Sequence, residues 1–188
     1  MPRSGLSPEV VVREAALLVD EHGPDALTLA AVAKRFGVAL PSLYKHVGGV
    51  EDLHGRLALR ASLELGPALR RATTGKAGTD AIRAAGAAYR SYATAHPGCY
   101  RYLLRPRPDD EVHAAASAEI LATLADVLAG YHIREPRALV DAVRFLRSVL
   151  HGFVSLELDG GFAMPQSVDG SFAAAVDGLD HALRAWPR

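Results

Sequence analysis

The sequence predicts an all-α protein, and three observations carry that expectation. Apolar residues make up 49% of the 188 positions, with abundant Ala, Leu, Arg and Glu and no alternating run of the kind a half-buried strand requires. Several stretches instead repeat apolar side chains three and four residues apart, the spacing of one helix face. Between them stand helix start and stop signals: Ser7-Pro8-Glu9, Gly23-Pro24, Gly37, His96-Pro97-Gly98, Pro136 and Asp159-Gly160-Gly161,.

Ser7 is a natural cap for a first helix, with Pro8 in its first turn, Glu9 near the positive end of its dipole and Val11, Ala15, Leu18 and Val19 as its apolar stripe,. Gly23-Pro24 stops it. Thr28 caps the second helix, whose apolar positions are Leu29, Val32, Ala33 and Phe36,. Gly37 follows, where a left-handed backbone ends a helix at little steric cost. Pro41 suits the first turn of a third, short helix. Its Leu43 and Val47 point inward, which leaves Ser42, Tyr44, Lys45 and His46 for the outside. The three helices make a compact head over residues 7–47. Lys34, Arg35 and Lys45 meet no acid between Thr28 and Val50, and they are the local positive excess of that head. After a hinge-like break at Gly48-Gly49, Glu51 and Asp52 load a connecting helix that runs to about Arg71 and that Gly66-Pro67 would kink or interrupt,.

The loop Thr73–Gly78 opens the body. A helix from Asp80 to Ala95 presents Ile82, Gly86, Tyr89 and Ala93, with Tyr92 beside them. Cys99–Leu104 forms a short helix and Arg105-Pro106-Arg107-Pro108 a stiff connector. A helix over about 110–130 follows, with Val112, Ala116, Ile120, Leu124 and Val127 as its apolar positions. The acids Asp109, Asp110 and Glu111 at its start, with His113, invite a metal reading, but acid-rich helix starts are ordinary dipole chemistry; no metal is expected. From Pro136 to about Leu158 a long helix carries an apolar arc from Leu139 to Leu156. Ser148, Gly152 and Ser155 form a small-residue patch that would let a second backbone come close. A last helix, about 169–186, shows Phe172, Val176, Leu179, Leu183 and Trp186. Two such terminal helices suit an intermolecular four-helix bundle, for which Ser148, Gly152, Ser155, Phe172, Val176, Leu179 and Leu183 are the candidate interface. They would equally close a monomer core.

The totals bound the function. Formal net charge is zero, so any nucleic-acid contact must be local rather than driven by a blanket of positive charge. One cysteine, Cys99, leaves no intrachain disulfide and suits a reducing cytoplasm,. No signal-type core follows Met1-Pro2-Arg3-Ser4 and no long uncharged apolar stretch is evident, so a soluble cytoplasmic protein without membrane contact is expected.

A short helix showing hydroxyls, a cation and an imidazole, propped on a preceding helix, has the form of a reading head for a DNA groove. The run from Leu27 to Val47, with Phe36-Gly37-Val38, Pro41-Ser42-Leu43-Tyr44 and His46, resembles the DNA-binding signature of the TetR family of bacterial transcriptional regulators. His96–Arg101 and Leu150–Leu158 resemble the C-terminal class of that family named for Trp-His-Gly; His151-Gly152 is present and Leu150 stands where the tryptophan would be.

The resemblance implies an all-α architecture of three parts. Residues 1–50 would be a helix-turn-helix DNA-binding head, 51–74 a connecting helix whose tilt transmits a ligand signal, and 75–188 a ligand-binding and dimerisation body. It implies a homodimer on a palindromic double-stranded operator, released by a small-molecule effector, with no cofactor and no catalytic residue. Tyr44 and His46 match the family's phosphate-contacting pair. Thr28 and Ser42 can donate from their hydroxyls, with Leu29 beside Thr28 in the contact set. Lys45 can reach a guanine edge or a phosphate, and Leu40 and Pro41 can meet thymine methyls. Some relatives carry a polar reader at Leu40, and many carry a lysine at Val50. The aromatic and apolar side chains Tyr89, Tyr92, Tyr100, Phe145, Val149 and Phe153 are the candidate effector pocket.

Two rival classes remain at this point. His151, Ser155, Glu157 and Asp159 offer acid, base and hydroxyl in one helix, but no nucleophile elbow, metal-ligand spacing or phosphate-cradling loop accompanies them,. A helical protein-interaction adaptor whose head no longer binds DNA is the other, favoured by Leu40, Val50 and the neutral net charge.

Overall fold

A computed structural model describes residues 6–104 and 110–187, and all regular structure within them is helical. The connector Arg105–Pro108 and Asp109 of the acidic triplet lie outside the described residues. The helices are α1 (Pro8–His22), α2 (Leu29–Phe36), α3 (Val50–Thr73), α4 (Gly78–Ala95), α5 (Pro97–Tyr100), α6 (Glu111–Ala129), α7 (Pro136–Leu158) and α8 (Val168–Arg184). Short 3-10 segments cover Pro24–Ala26, Leu40–Lys45 and Arg101–Leu104. Two compact units result: Met1–Leu63 with His96–Ala114, and Glu64–Ala95 with Ala115–Arg188.

The first unit is closed by its caps and its core. Ser7 Oγ accepts from the Val10 N–H at 3.3 Å and Thr28 Oγ1 from the Ala31 N–H at 3.0 Å, each satisfying a donor that the helix leaves orphaned,. Gly37 takes the left-handed conformation at φ 66, and the Val38 N–H reaches back to the Ala33 carbonyl at 3.1 Å, sealing α2,. Val11, Ala15 and Val19 of α1, Val32 of α2, Leu43, and Leu53, Leu57 and Ala58 of α3 are fully buried together, with Cys99 and Tyr102 beside them. The segment after α4 therefore belongs to the packing of the head.

Asp20 fixes that segment. Its Oδ1 accepts from the N–H groups of Gly98 at 2.9 Å and Cys99 at 2.8 Å, while Oδ2 lies 3.3 Å from His96 Nδ1. Gly98 is required there for space, because a Cβ would sit 2.0 Å from the Val19 carbonyl oxygen.

The interruption that Gly66-Pro67 allowed does not occur. Pro67 lies inside α3, which continues through it to Thr73. The missing N–H costs one intrahelical bond, but the helix is anchored on both sides by buried Leu65 and Leu69,. Helix α6 is long and apolar enough, at a mean hydropathy of 1.4, to cross a membrane by length and composition. Glu119 and Asp126 interrupt its apolar run. In the second unit its Leu124, Val127 and Leu128 are buried and Glu119 pairs with Arg70 of α3.

The second unit packs α4, α7 and α8 around Ile82, Ala85, Leu146, Leu150, Phe172, Val176 and Leu179. Gly86 stands where a Cβ would be 3.1 Å from Val176 and 3.5 Å from Leu150. Arg90 pairs with Glu157 of α7 at 2.6 Å and Asp169 of α8 at 2.7 Å, its guanidinium 4.9 Å from the Phe172 ring centroid. Asp180, 7% exposed, accepts from Thr79 at 3.0 Å, from the Tyr131 hydroxyl at 2.6 Å and from Arg184 at 2.9 Å. Burial alone would raise the carboxyl pKa, but the bonds from Arg184, Tyr131 and Thr79 outweigh it and hold it at about 2, against an ordinary 3.8,. A depressed carboxylate adds stability that is fully present above the unfolded value and is lost as pH falls toward the folded one. The urea midpoint of the native chain should therefore drop between pH 4 and pH 2. In Asp180→Asn it should start lower at pH 6 and lose less over that acid interval, as followed by circular dichroism.

Candidate nucleic-acid interface

Between α2 and α3 the chain makes its turn at Gly37 and enters the segment Leu40–Lys45, where the short helix that the sequence predicts takes the 3-10 form. Pro41 has no N–H to give, and the turns close by three-residue bonds, Ser42 N to Ala39 O at 2.9 Å and His46 N to Leu43 O at 2.8 Å,. With three residues per turn, side chains three apart stack in rows: Leu40 with Leu43, Pro41 with Tyr44, Ser42 with Lys45. Leu43 is fully buried and Val47 nearly so, and these two pin the segment to the head.

The other two rows reach solvent, and so does Leu40 although it shares the row of Leu43. Tyr44 is 58% exposed and Leu40 38%; Pro41 and Lys45 are exposed, and Ser42 and His46 half-buried. Thr28 is exposed at the start of α2 and Leu29 half-buried behind it. The Thr28 oxygen is engaged as a cap acceptor, so its hydroxyl hydrogen is left to donate outward,. Phenol, ammonium, imidazole and hydroxyl groups are thus displayed along one turn and the adjoining helix start. That inventory suits phosphate oxygens and base edges.

Arg35 does not belong to that display. No acid lies near it in sequence, but α1 supplies two. Its guanidinium pairs with Glu14 and, at 2.6 Å, with Glu21, which drive its pKa upward. The charge is spent bracing α2 against α1. Lys34 and Lys45 remain, both exposed.

The six candidate pocket residues do not share one unit. Tyr89, Tyr92, Phe145, Val149 and Phe153 lie in the second unit and Tyr100 in the first, 2% exposed. The Tyr92 hydroxyl donates to Glu64 at 3.2 Å. Phe145 stacks at 5.4 Å on Trp186, and Phe153 packs on Phe162 and Phe172 at 4.7 and 5.1 Å. Phe145 and Phe153 thus tie α7 to α8 and the loop before it.

Four of the candidate interface residues also need correction. Phe172, Val176, Leu179 and Leu183 are 7%, 3%, 1% and 1% exposed in the single chain. They are the core face of α8 and offer no surface to a partner. Ser148 is exposed and Gly152 and Ser155 half-buried, with open space where a Gly152 Cβ would stand. Ser155 Oγ is 3.3 Å from His151 Nε2. Burial and the nearby Arg147 charge push the imidazole pKa down. At the start of α6, Asp110 Oδ1 accepts from the N–H groups of Val112 and His113, both at 3.1 Å, and the His113 side chain is buried.

Comparison with known proteins gives a consistent result. A family model for the tetracyclin repressor-like C-terminal domain matches residues 82–179. The chain is 38% identical over 157 residues to an uncharacterised helix-turn-helix-type transcriptional regulator of Mycobacterium tuberculosis, covering 82% of this chain and 72% of the relative. A similar regulator of Bacillus subtilis is 29% identical over 175 residues, covering 93% and 91%. Among solved structures, a TetR variant from Acinetobacter baumannii AYE in complex with minocycline aligns with a TM-score of 0.69 at 24% identity, over 98% of this chain and 100% of that one. At that identity the likeness is one of fold.

Proposed function

Because this chain belongs to the tetracycline-repressor-like family of helix-turn-helix transcriptional regulators, we propose that it acts as a homodimeric repressor on a two-fold-related DNA operator and lets go when a small molecule binds its body. It is a DNA-binding regulator and not an enzyme. His151, Ser155, Glu157 and Asp159 accordingly have no catalytic role. The observation that carries the proposal is the outward Tyr44–Lys45 pair on a turn whose Leu43 is fully buried. A rigid mount with an exposed polar tip is what groove reading needs.

In this reading Tyr44, His46, Thr28 and Ser42 hold phosphates, Lys34 adds charge at the edge, and Lys45, Leu40, Pro41 and Leu29 lie toward the bases. Leu40 and Val50 shift discrimination toward methyl contact and DNA shape. Residues 1–50 are the head, 51–74 the connecting helix and 75–188 the body, in a cytoplasmic protein. An effector pocket near Tyr89, Tyr92 and Val149 is supported by their apolar setting with phenol hydroxyls, and by the minocycline complex of the Acinetobacter relative. The effector must favour the releasing state by several kcal/mol, since equal affinity for both states would shift nothing.

The dimer seam is drawn along Ser148, Gly152 and Ser155 of α7 with the exposed Ala174 and Gly178 of α8, where small side chains let backbones approach. Ser148→Trp should then convert a sedimenting dimer to monomers without loss of helical signal; an unchanged dimer removes this seam. Selection from a random duplex pool tests the whole proposal. Recovered sequences should carry two inverted half-sites about one helical turn apart or somewhat more, and recovery of no shared sequence would refute it.

A further inference from the structure

Helices α6 and α7 of the second unit leave a groove open along their outer side, and its lining shares no residue with the DNA-contact set or the proposed seam. It encloses about 420 Å³ and is lined chiefly by Leu121, Leu139, Val140 and Val143, with Arg144 and Arg147 at one end. Leu121 is 42% and Val140 47% exposed, so branched aliphatic side chains stand in water on both walls. From Leu139 to Arg147 the α7 wall runs roughly 12 Å. The lining contains two guanidinium groups and no carboxylate. Arg144 has only a loose partner, Asp141 at 3.8 Å, in an exposed pair, and Arg147 makes no ion pair among the described residues.

An aliphatic trough that ends in two under-neutralised arginines is complementary to a molecule with an alkyl chain and an anionic end. The geometry points to a binding site for an aliphatic carboxylic acid, its chain along Leu121, Val140 and Val143 and its carboxylate held by Arg144 and Arg147. Guanidinium suits that head, because its planar fork matches both carboxylate oxygens. The volume falls within the ~300–1,000 Å³ of small-molecule sites. A second copy of the chain is the rival occupant, and the oligomeric state of a groove variant separates the two. The site is independent of the effector pocket proposed above.

The test is calorimetric titration of the full chain with dodecanoate, below its micelle concentration, and with 1-dodecanol. Dodecanoate should bind saturably at one site per chain, and the neutral alcohol at least tenfold more weakly. The double variant Arg144→Gln/Arg147→Gln should weaken dodecanoate at least tenfold, and Val140→Asp should abolish it, with helical signal unchanged in both, since all three positions are exposed. Absence of saturable binding overturns the assignment, as does binding indifferent to the double variant, which would place the acid elsewhere. If dodecanoate fails to bind while Val140→Asp splits an oligomer in sedimentation, a second copy fills the groove and the assignment falls.

Discussion

Replacing Gly98 with alanine is expected to cost the chain roughly 3 kcal/mol of folding stability, the upper range for overpacking in a rigid site. The new Cβ would lie 2.0 Å from the Val19 carbonyl oxygen and 2.6 Å from the Asp20 nitrogen. Both are backbone atoms of α1, so no side-chain rotation relieves the clash. Moving α5 away would also break the bonds from Gly98 and Cys99 to Asp20. Urea unfolding followed by circular dichroism measures this directly, and a loss under about 1 kcal/mol would mean that α1 and α5 can separate cheaply.

The second large effect concerns the reading turn. Tyr44→Ala/Lys45→Ala should leave stability nearly untouched, because both side chains are exposed, but it should cripple DNA binding. Each protomer of a dimer would lose two contacts of about 1 kcal/mol apiece, together about 4 kcal/mol or roughly a thousandfold in Kd. If Lys45 sits on a phosphate, the salt dependence should also flatten by about one unit of slope per half-site. A base-edge role would instead relax sequence preference. The two roles separate in the same titration.

How much of this was legible in the sequence depends on the range over which each interaction acts. Ser7, Thr28 and Gly37 are local signals, and the structure uses each as a cap. Leu43 and Val47 were readable as anchors because four residues separate them, whichever kind of helix carries them. What lay out of reach was pairing between elements. Arg35 looked unopposed because Glu14 and Glu21 are 21 and 14 residues away on another helix. Gly98 carries no sign that Val19 presses on it. The stripe of α8 was visible as apolar, but an amphipathic pattern states only that a face is covered. Here α4 and α7 cover it, and Phe172, Val176, Leu179 and Leu183 are spent on the chain's own core. The site candidates that depended on local exposure, Tyr44 and Lys45, are on the surface. Those that depended on a shared cavity, Tyr89 and Tyr100 among them, are divided between two units.

The most direct test of the DNA-reading account is an anisotropy titration of the full chain on its selected duplex and on a scrambled duplex of equal composition, at two salt concentrations. The account predicts at least roughly a thousandfold preference for the selected sequence, and a large loss of affinity for that sequence in Tyr44→Ala/Lys45→Ala. Equal affinity of the native chain for the two duplexes, or undiminished affinity of the variant for the selected one, would contradict it.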